Sequence, residues 1–427
     1  MQIVERNKLF VASCLALLVT SLSFGIRAGI MNQLVIDFHL STAELGVITA
    51  SAFWGFPLAI IIGGFVVDAI GMKKLLVIAF VLHLAGIVLT VFAAGYWTLF
   101  LSTLLIGIAN GTVEAACNPL VASLYTDNKT VKLNHFHLWF PGGIVIGTLI
   151  VLLFNYIQIS WQWQVAIMII PTLIYGYLFS TLKFPVTERV ASGFSTADMY
   201  KAVLSPLFIV MLICMFGTAV TELFTGQWID VLLKNLTNNA ILILTLTTGV
   251  MVIGRGFAGP IVHRLSPQGV LLLSAMVSAV GLYLLSTLTG NAIFFAAIVF
   301  GIGVCYFWPT MIGFVAENIP QSGALGLNLM GGAGMFAVSI YSILMGNFYD
   351  GLVLKYLPAG ADLAAYLSAD ENTPMNQALN QAKSLAGPEV IRITLVIPIV
   401  LTVVFAGLVL YLRSRNKIKP SPVLQTE

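Results

Sequence analysis

The chain has 427 residues, of which 59% are hydrophobic and only 9% charged, with a formal net charge of +3. Soluble domains carry about a quarter charged residues, so this chain cannot coat a water-facing exterior of its size, and lipid is the expected solvent for most of it. The basic residues form no stripe on a soluble face, which argues against a nucleic-acid partner.

A bilayer crossing needs about 20 apolar residues in a helix. Twelve such segments are expected, at 9–35, 45–67, 75–95, 97–125, 133–156, 163–183, 205–233, 239–261, 269–289, 291–317, 323–347 and 390–412. The lead MQIVERNKLF is short, and the run after it is too long for a signal sequence and ends in no small-residue cleavage site. It reads as a retained first span. Cys14, Cys117, Cys214 and Cys305 lie far apart inside apolar runs. That is the pattern of small buried hydrophobes rather than of a disulfide framework or a metal site.

Lysine and arginine orient the spans. Fourteen fall on the side of the N-tail, the even-to-odd loops and the C-tail, against four (Lys234, Lys355, Lys383 and Arg392) on the other side. The positive-inside rule therefore puts both termini in the cytoplasm of a plasma membrane, in a bacterium the inner one. Residues 1–185 form a first six-helix half, 186–204 a cytoplasmic central loop, 205–413 a second half and 414–427 a cytoplasmic tail. The polar, acidic stretch 348–388 reads as an extracytoplasmic loop, flexible or carrying a short amphipathic helix.

The halves echo each other about 190 residues apart. Phe24-Gly25 returns as Phe216-Gly217, Asn118-Pro119 as Trp308-Pro309, Gly142-Gly143 as Gly331-Gly332, and Gly64 as Gly259. One shared register is the mark of two pseudo-symmetric halves related by an axis along the membrane normal, with a site between them at mid-depth.

Between the second and third spans stands GGFVVDAIGMKK, residues 63–74. Gly64 lets another helix come close, Asp68 can sit at a helix N-terminus, Gly71 permits a tight turn, and Lys73 and Lys74 face the cytoplasm. The spacing matches the signature loop of the major facilitator superfamily, G-x-x-x-D-x-x-G-x-[RK]-[RK]. The second copy, from Gly259 to His263-Arg264, is degenerate.

Ionisable residues inside spans are costly and are functional candidates. They are Arg27, His83, Glu114, His135, His137, Glu222 and Arg255. His83 falls in a packing helix and reads as a core histidine. Glu114 and Asn118 are four apart, hence on one helix face, and that face must look into a protein or water-filled interior. Pro119 bends the helix and frees a carbonyl one turn earlier. A buried carboxylate there can take up a proton, because burial disfavours its charged form. Pairing of Glu114 with an arginine, locking two helices, is the structural alternative.

Further along, the chain resembles the fucose–galactose–glucose:proton symporters of that superfamily. The resemblance rests on Glu114, Ala115-Ala116 and Asn118-Pro119 in the fourth span, and on LNHFHLWF in the fifth, with Leu133, Asn134 and Phe140 kept and His137 where the family has glutamine. It continues with Glu222, Gly226, Gln227 and Trp228, then Gly254-Arg255, Pro309-Thr310 and Gly331-Gly332. It implies the major facilitator fold, an all-α membrane protein of 12 transmembrane helices, working by alternating access. It also implies proton coupling through Glu114, with Glu222 the second acid. Asn118, His137, Gln227 and Asn328 would bind hydroxyls, Trp228, Trp308 and Tyr306 would stack on a sugar face, and Arg255 would hold the structure. The chain departs from the family in the first span, where Asn32, a substrate-binding candidate, stands near the place of an acid and Arg27, another, lies about a turn and a half earlier.

Two readings follow. One is a proton-coupled sugar transporter. The other is an organic-anion symporter, of sugar acids or other carboxylates, with Arg27 as the clamp, since a guanidinium fork fits a carboxylate. A multidrug exporter fits the polar inventory less well. No residue pattern points to an enzyme or to a bound cofactor. The proton is the expected coupling ion, with sodium the alternative, and the expected assembly is a monomer in lipid.

Overall fold

The computed structural model describes residues 4–40, 42–233, 240–370 and 373–418, with their side chains except those of residues 32, 42–43, 227, 230–231, 240–242 and 415–418. Among residues singled out above, the side chains of Asn32, Gln227, Lys234, Arg415, Lys417 and Lys419 thus lie outside the description.

The described residues are mostly helical, and none of them forms a strand. In the first half come α1 (Arg6–Phe38), α2 (Thr42–Ile70), α3 (Met72–Val91), α4 (Tyr96–Leu124), α5 (Lys129–His137), α6 (Trp139–Tyr156), α7 (Trp161–Ala166) and α8 (Ile169–Thr181). A linker holds α9 (Glu188–Ala191) and α10 (Thr196–Val203). In the second half come α11 (Pro206–Ala219), a π-helical turn Val220–Phe224, α12 (Thr225–Leu233), α13 (Ala240–Gly256), α14 (Ala258–Thr287), α15 (Ala292–Val304), α16 (Phe307–Asn318), α17 (Gly323–Tyr356), α18 (Leu363–Leu367) and α19 (Pro374–Ile418).

Among the described residues, eleven helical stretches are long and apolar enough to cross a membrane, and the shorter apolar helix Ile243–Gly256 lies at the eighth predicted span. Large apolar side chains such as Ile36, Trp97, Leu149, Tyr177 and Val403 stand exposed around the bundle. Water would penalise such a surface, whereas acyl chains accept it.

The stretch 348–388 carries helix, one of the two forms expected of it, but more of it than a single short element. α17 runs on to Tyr356, and α19 starts at Pro374. Leu379, Ala382, Ala386 and Val390 are all buried. Their spacing makes one apolar stripe on the otherwise polar first turns of α19, which explains why a polar composition still folds.

In the first half α2 packs on α4, α3 on α4 and α1 on α6; in the second, α14 packs on α15 and α19. The halves meet mainly where α17 lies on α2 and α16 on α5. This contact is sealed at the end of the bundle that carries the linker. Lys129 donates to Glu188 at 2.6 Å and to the Ala316 carbonyl at 3.0 Å, and the Thr130 amide donates to Glu317 at 2.9 Å.

The signature loop belongs to this seal. Asp68, in the last turn of α2, accepts the Thr187 hydroxyl at 2.5 Å and the Arg189 Nε–H at 2.6 Å. Its partners are thus linker side chains at the start of α9, whose N-cap is Thr187, so Asp68 does sit beside a helix N-terminus, bonded there to side chains. Lys73 donates to the Leu182 carbonyl at 3.0 Å, tying itself to the linker, while Lys74 is exposed. Gly71 has φ 85°, the conformation a tight turn needs.

Gly64 does what its lack of a side chain allows: a Cβ there would stand 2.7 Å from the Asn328 Cβ of α17. Gly64→Ala is therefore expected to cost about 1–3 kcal/mol through overpacking. Gly46→Ala is the control, because nothing lies within 4 Å of its added Cβ. Melting of the purified variants checks this, and an unshifted Gly64→Ala would refute the tight approach.

Candidate functional site

Three prolines build the site. A proline in a helix has no N–H for the carbonyl four residues earlier, so Pro119 leaves the carbonyl of Ala115 without its helical donor, Pro141 that of His137, and Pro309 that of Cys305. Each freed carbonyl is taken by a side chain from another helix. Asn328 Nδ2 donates to Ala115 at 3.0 Å, Arg255 Nη1 to His137 at 2.8 Å, and Arg255 Nε to Cys305 at 2.7 Å. Two of these bonds, those to Ala115 and His137, join the second half to the first.

Arg255 spends its remaining nitrogen, Nη2, on Glu222 Oε1 at 2.8 Å. Glu222 sits on the π-helical turn, a form common at functional sites. Its other oxygen accepts the Trp308 amide at 3.2 Å, a first-turn N–H of α16 that favours an anion. The pair is buried, Arg255 being 2% exposed and Glu222 5%. Arg255 is thus the partner of Glu222, and among the described residues no bond joins it to Glu114.

Glu114 has neutral partners. Asn118 Nδ2 donates to Glu114 Oε2 at 2.7 Å, and Asn118 Oδ1 faces His137 Nε2 at 2.9 Å. An amide oxygen can only accept, so His137 Nε2 carries the hydrogen. In the neutral imidazole, His137 Nδ1 then turns a lone pair toward Glu114 Oε1, 3.9 Å away. That is too long for a hydrogen bond. Two acceptors face each other there, and a single added proton turns the repulsion into attraction.

Glu114, His137, Glu222, Arg255 and Trp308 border one small void together with Phe24 and Phe140. Above it, away from the linker, opens a cavity of about 320 Å³ between the halves. Phe24, Phe140, Glu222, Leu223 and Met335 line both spaces, so the void forms the floor of the cavity. Arg27 lines the cavity wall. Phe24 joins the walls, its ring centroid lying 5.8 Å from that of Phe53 and 5.8 Å from that of Phe140.

Other expected site residues lie elsewhere. Asn328 is fully buried against Gly64 and bonded to Ala115, so it belongs to the seal between the halves and does not line the cavity. Trp228 packs on Phe224 and against Gly346 within its own half. The Tyr306 hydroxyl is used on the Gly254 carbonyl at 2.5 Å. His83 is a core residue as expected, holding Tyr175 and Asn110 at 2.7 Å each. Sequence reading missed Phe53, Phe140 and Met335 as cavity walls, because an apolar wall residue carries no mark that separates it from a lipid-facing one. It also missed Thr187 and Arg189 as partners of Asp68; an acid in a signature loop was the one signal that a cation is needed nearby.

Comparison with known proteins is consistent with this geometry. The family model described as Major Facilitator Superfamily matches residues 13–345. The crystal structure of the Escherichia coli fucose:proton symporter superposes with a TM-score of 0.68 at 15% identity, over 92% of this chain and 98% of that one. At that identity the likeness is one of fold. The galactose-proton symporter of Escherichia coli K12 is 26% identical over 164 residues, 38% of this chain and 35% of the symporter. The facilitated glucose transporter member 10 of solute carrier family 2 from Danio rerio is 26% identical over 164 residues, 38% of this chain and 32% of the transporter. The matched part of this chain thus spans about a third of the length of these two relatives.

Proposed function

Since the chain belongs to the Major Facilitator Superfamily, whose members are membrane transporters and not enzymes, we propose that it carries a small sugar-class solute by alternating access, in symport with a proton. The observation that carries this reading is the Glu114–Asn118–His137 cluster at the floor of a cavity between the halves. The named sugar specificities of the similar transporters support the solute class.

In this reading Glu114 takes the proton and Glu222 does not. Arg255 and the Trp308 amide already satisfy both Glu222 oxygens, while Glu114 faces the His137 lone pair. The cavity opens away from the linker, and the Lys129, Thr130 and Asn328 bonds close the linker end. Alternating access then requires those bonds to part while the cavity closes. We place the protein in a plasma membrane, a bacterial inner membrane in our reading, as a monomer with both termini in the cytoplasm and with no cofactor beyond the coupling ion.

The test is uptake into proteoliposomes with an inside-alkaline pH gradient, using labelled fucose, galactose, xylose and their acids. Accumulation that a protonophore collapses is the expected result. Accumulation that follows a sodium gradient and ignores pH would replace the proton with sodium. Transport of none of these solutes under either gradient would refute the sugar class.

A further inference from the structure

We infer that the solute is a monosaccharide acid, with its carboxylate held by Arg27. This rests on the proposed function for the cavity, and narrows it from sugars at large to their acids.

The two membrane-depth arginines are in opposite situations. Arg255 spends Nε, Nη1 and Nη2 on protein acceptors, one of them a carboxylate. Arg27 lines the cavity half-buried and, among the described residues, has neither a hydrogen-bond acceptor nor an acidic partner. Guanidinium does not lose its proton in proteins, and an uncompensated charge at membrane depth is costly. The counter-charge is absent from the described wall, so it arrives with the cargo.

The rest of the described wall leaves the guanidinium little competition. Glu222 is the acid on the wall, and both its oxygens are occupied. The Thr49, Thr247 and Thr248 hydroxyls donate to carbonyls of their own helices at 2.9, 2.9 and 2.7 Å. Arg27 is therefore the described wall residue with unspent strong donors, and its fork matches a carboxylate in bidentate fashion. Phe24, Phe53 and Phe140 line the cavity as a cluster of aromatic rings, a surface that suits the apolar C–H face of a sugar ring. A volume of about 320 Å³ is at the small end of ligand sites, which suits one ring rather than two.

The test is thermal stabilisation of the full-length purified protein by matched probes: glucuronate beside glucose, galacturonate beside galactose, and benzoate as an acid that is not a sugar. A ligand that binds the folded state raises its melting temperature. At least one uronate is expected to raise it, while the neutral partner at the same concentration does not. Arg27→Gln is expected to weaken uronate binding by about 30-fold or more, as truncating one side of a desolvated charge pair does. Arg27→Lys, which keeps the charge and loses the fork, should fall between. Without ligand, Arg27→Gln should melt no lower than the parent, because no described partner is lost; a large drop would show a structural arginine and overturn the inference. Should that variant fail to fold, Arg27→Lys carries the same comparison. Equal stabilisation by glucose and glucuronate, unchanged in Arg27→Lys, would overturn the inference and leave the sugar reading standing. Stabilisation by benzoate alone would overturn the sugar class itself, and stabilisation by no probe would refute the cavity as the site.

Discussion

Arg255→Met is expected to destabilise the protein by about 3–5 kcal/mol through the ion pair alone, because removing one partner of a buried pair strands the other's charge. The loss falls on three acceptors at once: Glu222 Oε1, the His137 carbonyl and the Cys305 carbonyl. Each carbonyl without a donor adds about 1–3 kcal/mol. A rescue series separates these contributions. Glu222→Gln in the Arg255→Met background removes the stranded charge and should recover the share of the loss due to it, leaving the share due to the two carbonyls. Pro309→Ala in the same background restores an amide four residues after Cys305, so the helix can satisfy that carbonyl itself. Pro309→Ala should therefore be worth more in Arg255→Met than in the parent protein. Melting of the purified variants reads both effects. Equal effects of Pro309→Ala in the two backgrounds would break the link between the proline and the arginine.

The same logic shows what could be read from the sequence and what could not. Pro119 told that a carbonyl in the fourth span was free, and Glu114 and Asn118 told that this span had a polar inner face. Both hold in the structure, with Asn118 bonded to Glu114. The acceptor freed by Pro119, however, faces α17, and Asn328 takes it. Sequence distance hides such a pairing, because the two residues are far apart in the chain and only packing of the halves brings them together. Asn328 therefore read as a ligand-binding amide when its place is in the seal. Trp228 misled for a related reason: its neighbours Phe224 and Gly346 are apolar, and a tryptophan in a span looks the same whether it faces a cavity or its own half. The twelve-span pattern was easier, since a run of apolar residues is a local property. The split of the fifth predicted span into α5 and α6 was less so, though Pro141, shortly after the break, was visible throughout.

Glu114→Gln is expected to abolish solute accumulation driven by a pH gradient, so that the solute inside rises only to its outside concentration. Exchange of labelled for unlabelled solute across the same membrane should persist near the parent's rate. The geometry gives the reason. In the parent, Glu114 Oε1 and His137 Nδ1 face each other at 3.9 Å, both able to accept and neither able to give unless a proton arrives. Glutamine brings a permanent N–H donor to that place, so the variant imitates the proton-loaded cluster and cannot unload it. The Asn118 bond survives when the amide turns its oxygen toward Asn118 Nδ2, now at the position of Glu114 Oε2. Binding and the rocking of the halves need no proton to leave, whereas net accumulation does. Glu222→Gln is the contrast. It loses the charge that Arg255 holds, so it should lower the melting temperature, which Glu114→Gln should leave nearly unchanged. If Glu114→Gln still accumulates solute on a pH gradient, the proton travels by another group. If it loses exchange as well as accumulation, Glu114 binds the solute, and the coupling role falls to the His137 side of the cluster.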